Sequence, residues 1–304
     1  MRANPALLLI VFGFLQLYPA FGQRDVPMER LARAYLEGGI EGGELARSVA
    51  AWLEDQGVKA LPILVEVMER EYGLEGDNAF DVLVRHTDEK NAAEVIAQMR
   101  AMSKSPYVRL YALRLASEHN IHGDGFREDA LEMLSPEFDG QTGLQIDALS
   151  QLTRFGKRDD ARIVSRRLSR PADPLVVAAA VKAMARLDPE GIERWTAADW
   201  ERLIGHLKRT DIDIGGGSKV AIAEVLCEIA DAVGFRAWTD AMPEIEEAER
   251  MRLAREREFI LQAAREGGGR AIGLDEMLAR EPTLRQIREK LKELEARVQK
   301  RPET

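Results

Sequence analysis

The chain has 304 residues, of which 45% are apolar, 31% charged and only 6% aromatic. That much core-forming material excludes wholesale disorder, and so few aromatics argue against a β-sandwich. A formal charge of −9 argues against a general affinity for nucleic acid or anionic membrane, while leaving room for a local basic patch.

The first residues predict a signal peptide over residues 1–22. Met1-Arg2 is a short positive start, Ala6 to Leu17 is apolar apart from Gln16, and Ala20-Phe21-Gly22 sets small residues at −3 and −1 before Gln23. Cleavage between Gly22 and Gln23 removes Arg2 and no acid, taking the charge from −9 to −10. The apolar run is shorter than the roughly 20 residues that span a bilayer comfortably, which leaves an uncleaved anchor as the alternative. No cysteine stands near the junction, so no lipid anchor is expected. The mature chain is expected to be periplasmic or secreted, without stable membrane insertion. Cys227 is the single cysteine, so there is no internal disulfide framework and the helices must hold by packing. Cys227 lies in the apolar run from Ile222 to Ala230 and is expected to be a small buried hydrophobe.

From Met28 onward the pattern is helix, short turn, helix. Residues 28–36 and 45–53 are amphipathic and are parted by the glycine-rich stretch from Gly38 to Gly43. Residues 61–68 carry Pro62 in the first turn, where proline is tolerated, and 79–84 form a short partner. Residues 92–102 follow, and Ser105-Pro106 starts the next helix. Residues 126–134 end at Ser135-Pro136, 143–152 near Gly156, and 160–168 at Arg170-Pro171; Asp173-Pro174 launches 175–187. No sustained period-two run is bounded by hairpin signals, so the predicted class is all-α.

One apolar frame recurs at i, i+4, i+5 and i+8: Val108, Ala112, Leu113, Ala116; Leu144, Ala148, Leu149, Leu152; Val176, Ala180, Val181, Met184. The central alanines are 36 and 32 residues apart (148 − 112 and 180 − 148), and Ala223 is a candidate fourth. A small side chain there lets two helices approach closely, while Leu113 and Leu149 fill the space beside it. A repeated helical unit points to a stacked α-solenoid, an architecture suited to contact surfaces.

The segment Ser105-Pro106-Tyr107-Val108-Arg109-Leu110-Tyr111-Ala112-Leu113 resembles the second-helix signature of HEAT repeats, a proline turn followed by Val-Arg and then Ala-Leu. The resemblance implies that Arg109 braces its turn to a neighbour instead of meeting a ligand. It is full in one unit and extends to the apolar frame of two, within residues 88–187, with Gln145 and Val177 where arginine would recur. Leu187-Asp188-Pro189 is similar to the closing phrase of tetratricopeptide repeats, whose Trp-Leu-Gly opening has no counterpart here. The predicted fold is therefore an irregular HEAT-like α-solenoid of antiparallel helix pairs over residues 23–266. Residues 267–304 are read as a glycine linker and a C-terminal heptad-patterned helix.

After residue 190 the text changes. Trp195, Trp200 and Trp238 enter, and 212–218 form a loose connection. Residues 244–266 are dense in charge and read as a solvated helix face, laced by pairs worth about 0.2–0.5 kcal/mol each. Gly267-Gly268-Gly269 breaks that run. Leu284, Ile287, Leu291, Leu294 and Val298 then form an a/d seam, which either caps the chain's own last repeat or serves a partner or self-association.

Candidate chemistry is sparse. His119, His122 and Asp124 are plausible metal ligands, but they stand where a helix ends, beside the terminators Gly123 and Gly125. In Gly215-Gly216-Gly217-Ser218-Lys219 the serine precedes the lysine, which does not fit a phosphate loop. Asp211 and Asp213 lack a supporting ligand series. The tryptophans are core anchors first and possible stacking surfaces for a glycan or peptide second. The expectation is an exported, non-enzymatic scaffold that binds a protein or peptide and needs no cofactor. The alternative is a metal-binding or metal-dependent hydrolytic protein using His119, His122 and Asp124. No surface position is singled out as the binding site.

Overall fold

The computed structural model describes residues 26–40, 42–70, 72–168, 173–211, 217–266 and 282–300, and every regular element among them is helical. The expected leader with its Gly22–Gln23 junction, Arg170-Pro171, the connection 212–216 and the Gly267-Gly268-Gly269 break lie outside the described residues. The chain divides into two compact units between Ser103 and Lys104.

The first unit holds α1 (Met28–Leu36), α2 (Gly43–Gln56), α3 (Leu61–Arg70), α4 (Leu74–Arg85) and α5 (Ala92–Met102). α1 packs on α2 and α3, and α3 packs on α4 and α5, with Leu36, Val49, Leu53, Leu64, Met68, Leu83 and Met99 buried between them. α1 stops because Gly38 takes a φ of 71° and lets the Gly39 N–H return to the Ala34 carbonyl at 2.7 Å. α4 begins five residues earlier than the sequence predicts (79 − 74). Gly76 reads as a turn signal but is buried inside the helix, and Glu75 and Asp77 sit in the first turn, where the helix dipole favours acids.

The second unit holds α6 (Pro106–Glu118), α7 (Phe126–Glu132), α8 (Thr142–Phe155), α9 (Ala161–Leu168) and α10 (Pro174–Leu187). These are followed by α11 (Pro189–Glu193), α12 (Ala197–Gly205), α13 (Gly217–Ile229), α14 (Ala232–Glu266) and α15 (Pro282–Gln299). α6, α8, α10, α13 and α15 form one row, each packed on the next, while α7 lies on α8, α9 on α10 and α12 on α14. The first four helices of the row carry the predicted alanines: Ala112, Ala148, Ala180 and the candidate fourth, Ala223, are all fully buried. Small residues at these points let the row close up, and Leu113, Leu149 and Val181 fill the flanks.

Polar contacts tie each repeat to the next at nearly constant sequence separation. Arg33 meets Glu66 at 2.6 Å and Arg127 meets Asp160 at 2.5 and 2.8 Å, both pairs 33 residues apart. Ser117 donates to Gln151 34 residues on. Contacts of this kind make the stacking register specific where apolar packing alone would let helices slide.

α15 ends the row. Leu284, Ile287 and Leu294 are buried against α13 and α14, and Ile287 and Leu294 share one apolar cluster with Trp200, Leu226 and Trp238. Arg297 donates to the carbonyls of Glu228 and Ala230, and Arg288 pairs with Glu246 at 2.8 Å. The heptad seam is thus spent inside the chain as a cap.

The charge run 244–266 is solvated as expected at Glu247, Arg250, Arg255, Arg257 and Glu258, and departs from expectation on one face. It belongs to one 35-residue helix, α14, which continues through Pro243. Glu249, Arg252 and Glu256 are not solvated but buried, with Lys219 of α13 donating to Glu249 at 2.9 Å. Arg252 holds Glu249 at 2.7 and 2.9 Å and also meets Glu256. Spacing of three and four residues puts these charges on one helix face, and that face turns inward where Lys219 answers it. No helix among the described residues is long and apolar enough to cross a membrane.

Candidate functional site

The site is a cleft between α9 and α12, floored by α10. Local sequence fixes each wall. Asp173 accepts the Leu175 N–H at 2.8 Å and Pro174 opens α10, so that helix starts at a defined point. A capping box starts α12: the Asp199 carboxylate accepts the Thr196 N–H at 2.9 Å and the Thr196 hydroxyl at 2.7 Å. Trp195, one residue ahead of that box, is held against Trp200 with ring centroids 4.9 Å apart, edge to face.

Leu168, Val177, Val181, Met184, Trp195 and Leu203 supply apolar lining, and Ser165, Asp199, Arg202 and His206 the polar atoms, around about 160 Å³. A cavity of about 150 Å³ accepts a benzene ring, so this cleft takes one aromatic or branched aliphatic side chain. The Thr196 N–H and hydroxyl hold the Asp199 carboxyl below the usual range, so it stays charged and committed to its cap. Burial, and then the nearby Arg209, push His206 below its ordinary 6.5, and the ring is neutral at pH 7. Arg202 is exposed and pairs with Asp199 at 3.6 Å.

A wider, more open cleft of about 710 Å³ shares Ser165 and Met184 with the first, so the two form one groove along α9. Its wall is rigid. Asp160 is fully buried, where burial alone would raise its pKa, yet the Arg127 guanidinium and the Lys157 N–H hold it below the carboxylate range. Arg158 pairs with Asp188 at 2.9 Å and Glu190 at 2.6 Å.

The residues singled out in the sequence fall elsewhere. His119 caps α6, Asn120 takes a φ of 55°, and the Ile121 N–H returns to the Ala116 carbonyl at 2.9 Å, a Schellman ending. His122 sets its ring edge-on to Phe155 at 5.8 Å. Among the described residues no group of three His, Cys, Asp or Glu side chains could hold a metal, so His119, His122 and Asp124 are not gathered into such a site. Arg109 meets Glu132 at 2.6 and 2.7 Å and Asp129 at 3.1 Å, both on α7, which is the bracing role the resemblance implied. Lys219 lies in the buried ion network, and Asp211 pairs with Arg209 at 2.9 Å.

Cys227 differs from expectation: it is only partly buried, with Sγ 3.5 Å from Glu293, because α15 covers its helix incompletely there. Burial and that carboxylate push the thiol up, away from reactivity. Trp200 and Trp238 are core anchors, 1% and 0% exposed, whereas Trp195 lines the cleft. Sequence reasoning missed Ser165 and Arg202 as lining residues and read Met184 only as part of the apolar frame, and no shared local signal marks the three. No family model, no curated protein and no solved structure matches the chain.

Proposed function

We propose that this chain is an exported, non-enzymatic interaction scaffold of HEAT-like helical-repeat type, which holds a segment of a protein partner in the cleft beside Trp195. The observation that carries the reading is the cleft itself: an apolar floor sized for one side chain, a polar rim, and a groove that continues past Ser165. Such a pocket on rigid helices favours an anchor residue, since little side-chain entropy is lost on the scaffold side. The stacked pairs and buried alanine frame support the repeat reading. The apolar run Ala6 to Leu17 with Ala20-Phe21-Gly22 supports export to the periplasm or the medium.

Placing a photo-crosslinking amino acid at Ser165, and separately at exposed Lys292 on α15, tests this in the extracytoplasmic fraction of the source cells. A discrete protein adduct from position 165 and none from 292 is expected. Equal labelling from both positions, or an adduct from 292 alone, overturns the cleft as the binding site.

A further inference from the structure

One lining residue of the cleft beside Trp195 is unlike the rest. His206 ends α12 and opens a short 3₁₀ turn, His206–Lys208, in which Leu207 is fully buried. That anchor holds the imidazole in the cleft wall, together with Arg202 and Leu203. The ring is half-buried, and its Nδ1 is sealed from water with no hydrogen-bond partner among the described residues. The other polar groups of the hole are engaged. Asp199 is bound into its cap and to Arg202, and the Ser165 hydroxyl donates to the Arg162 carbonyl at 3.0 Å.

A neutral imidazole carries one N–H and its protonated form carries both. The cation therefore places an N–H at the sealed Nδ1, where no acceptor answers it, and must either bear that loss or turn the ring outward. The turn packs on α12, α13 and α14. Charges on these elements are paired: Arg209 with Asp211, Lys208 with Glu244 of α14, Lys219 of α13 with Glu249, and Arg202 with Asp199. Glu201 of α12, and Arg162 and Arg166 across the cleft on α9, are exposed. Burial first, and then Arg209, hold the ring neutral against Asp211, which pulls the other way. Asp199 stays charged, so His206 is the one residue lining this cleft whose charge changes between about pH 5 and 7.

We propose that His206 makes the cleft acid-released: an apolar side chain seated beside Trp195 and a proton on His206 exclude each other. The occupant takes away water that the ring still has, and so favours the uncharged form. A charged ring keeps its water and disfavours an apolar neighbour, and by linkage the two effects are equal. The neutral ring is complete above 6.5 and is lost as pH falls through the lower value of the folded chain, so the grip is full at neutral pH and released in acid. This rests on the cleft being the partner site. Export gives it a use, because an extracytoplasmic chain meets the pH of its surroundings.

A photo-crosslinking amino acid at Ser165 of the full mature chain, exposed to the extracytoplasmic fraction between about pH 7.5 and about pH 5, tests it. The adduct is expected to weaken by up to about tenfold per pH unit once the ring titrates. His206→Gln, whatever its yield at neutral pH, is expected to flatten that profile. If circular dichroism shows His206→Gln unfolded, His206→Phe takes its place. Histidine-ring NMR of the chain, with the His206 signal assigned by its loss in the variant, should give a midpoint below 6.5. Three results overturn acid release while leaving the cleft as a peptide site: an adduct that fades alike in wild type and variant, one that persists in acid in the wild type, or a midpoint at 6.5 or above. No adduct from position 165 at any pH takes down the cleft reading, and the acid release with it.

Discussion

At the scale of single residues, burial and pairing separate side chains that look alike in the sequence. Asp160 and Asp159 are neighbours, yet one is sealed under Arg127 and the other faces water. Removing the cation leaves a buried charge, so Arg127→Ala should cost about 3 kcal/mol in thermal or urea unfolding. Asp160→Asn in the same background should recover part of that loss. The acid dependence has the matching sign. The Asp160 carboxyl sits below its ordinary 3.8 in the folded chain, so its contribution is complete above that value and lost as pH falls beneath it. Flattening of that acid limb in Asp160→Asn checks the assignment. The tryptophans divide in the same way: Trp200→Ala empties the core and should cost about 3–5 kcal/mol. Trp195→Ala should leave most of the stability and weaken partner binding, which melting and binding assays on the two variants distinguish.

At the scale of elements, local periodicity made most helices legible, because an apolar stripe with a small residue at its centre is a property of a dozen adjacent positions. The start of α4 was hidden by Gly76, whose turn propensity is overridden by packing. The buried face of α14 was hidden for a different reason. Glu249, Arg252 and Glu256 look like any solvated charge run until Lys219, 30 residues away, is brought against them. The seam of α15 was legible, but whether it faces the chain or a partner depends on a surface that exists only once α13 and α14 are folded. That surface buries Ile287 and Leu294, so Ile287→Asp with Leu294→Asp should undock the helix. Faster proteolysis near residue 282 and a larger hydrodynamic radius would report it; unchanged digestion would mean α15 contributes little to the core.

At the scale of the whole molecule, the cleft could not be read in advance because its lining spans residues 165–206 on three helices. No stretch of that text is unusual alone. The site exists where α9 and α12 flank α10. The most direct measurement compares partner recovered with the wild-type mature chain, with Ser165→Trp, which fills the hole, and with Lys292→Trp on α15. Recovery is predicted to collapse for Ser165→Trp alone, with circular dichroism unchanged in all three. Undiminished recovery with the filled cleft would contradict the account and move the binding surface elsewhere on the chain.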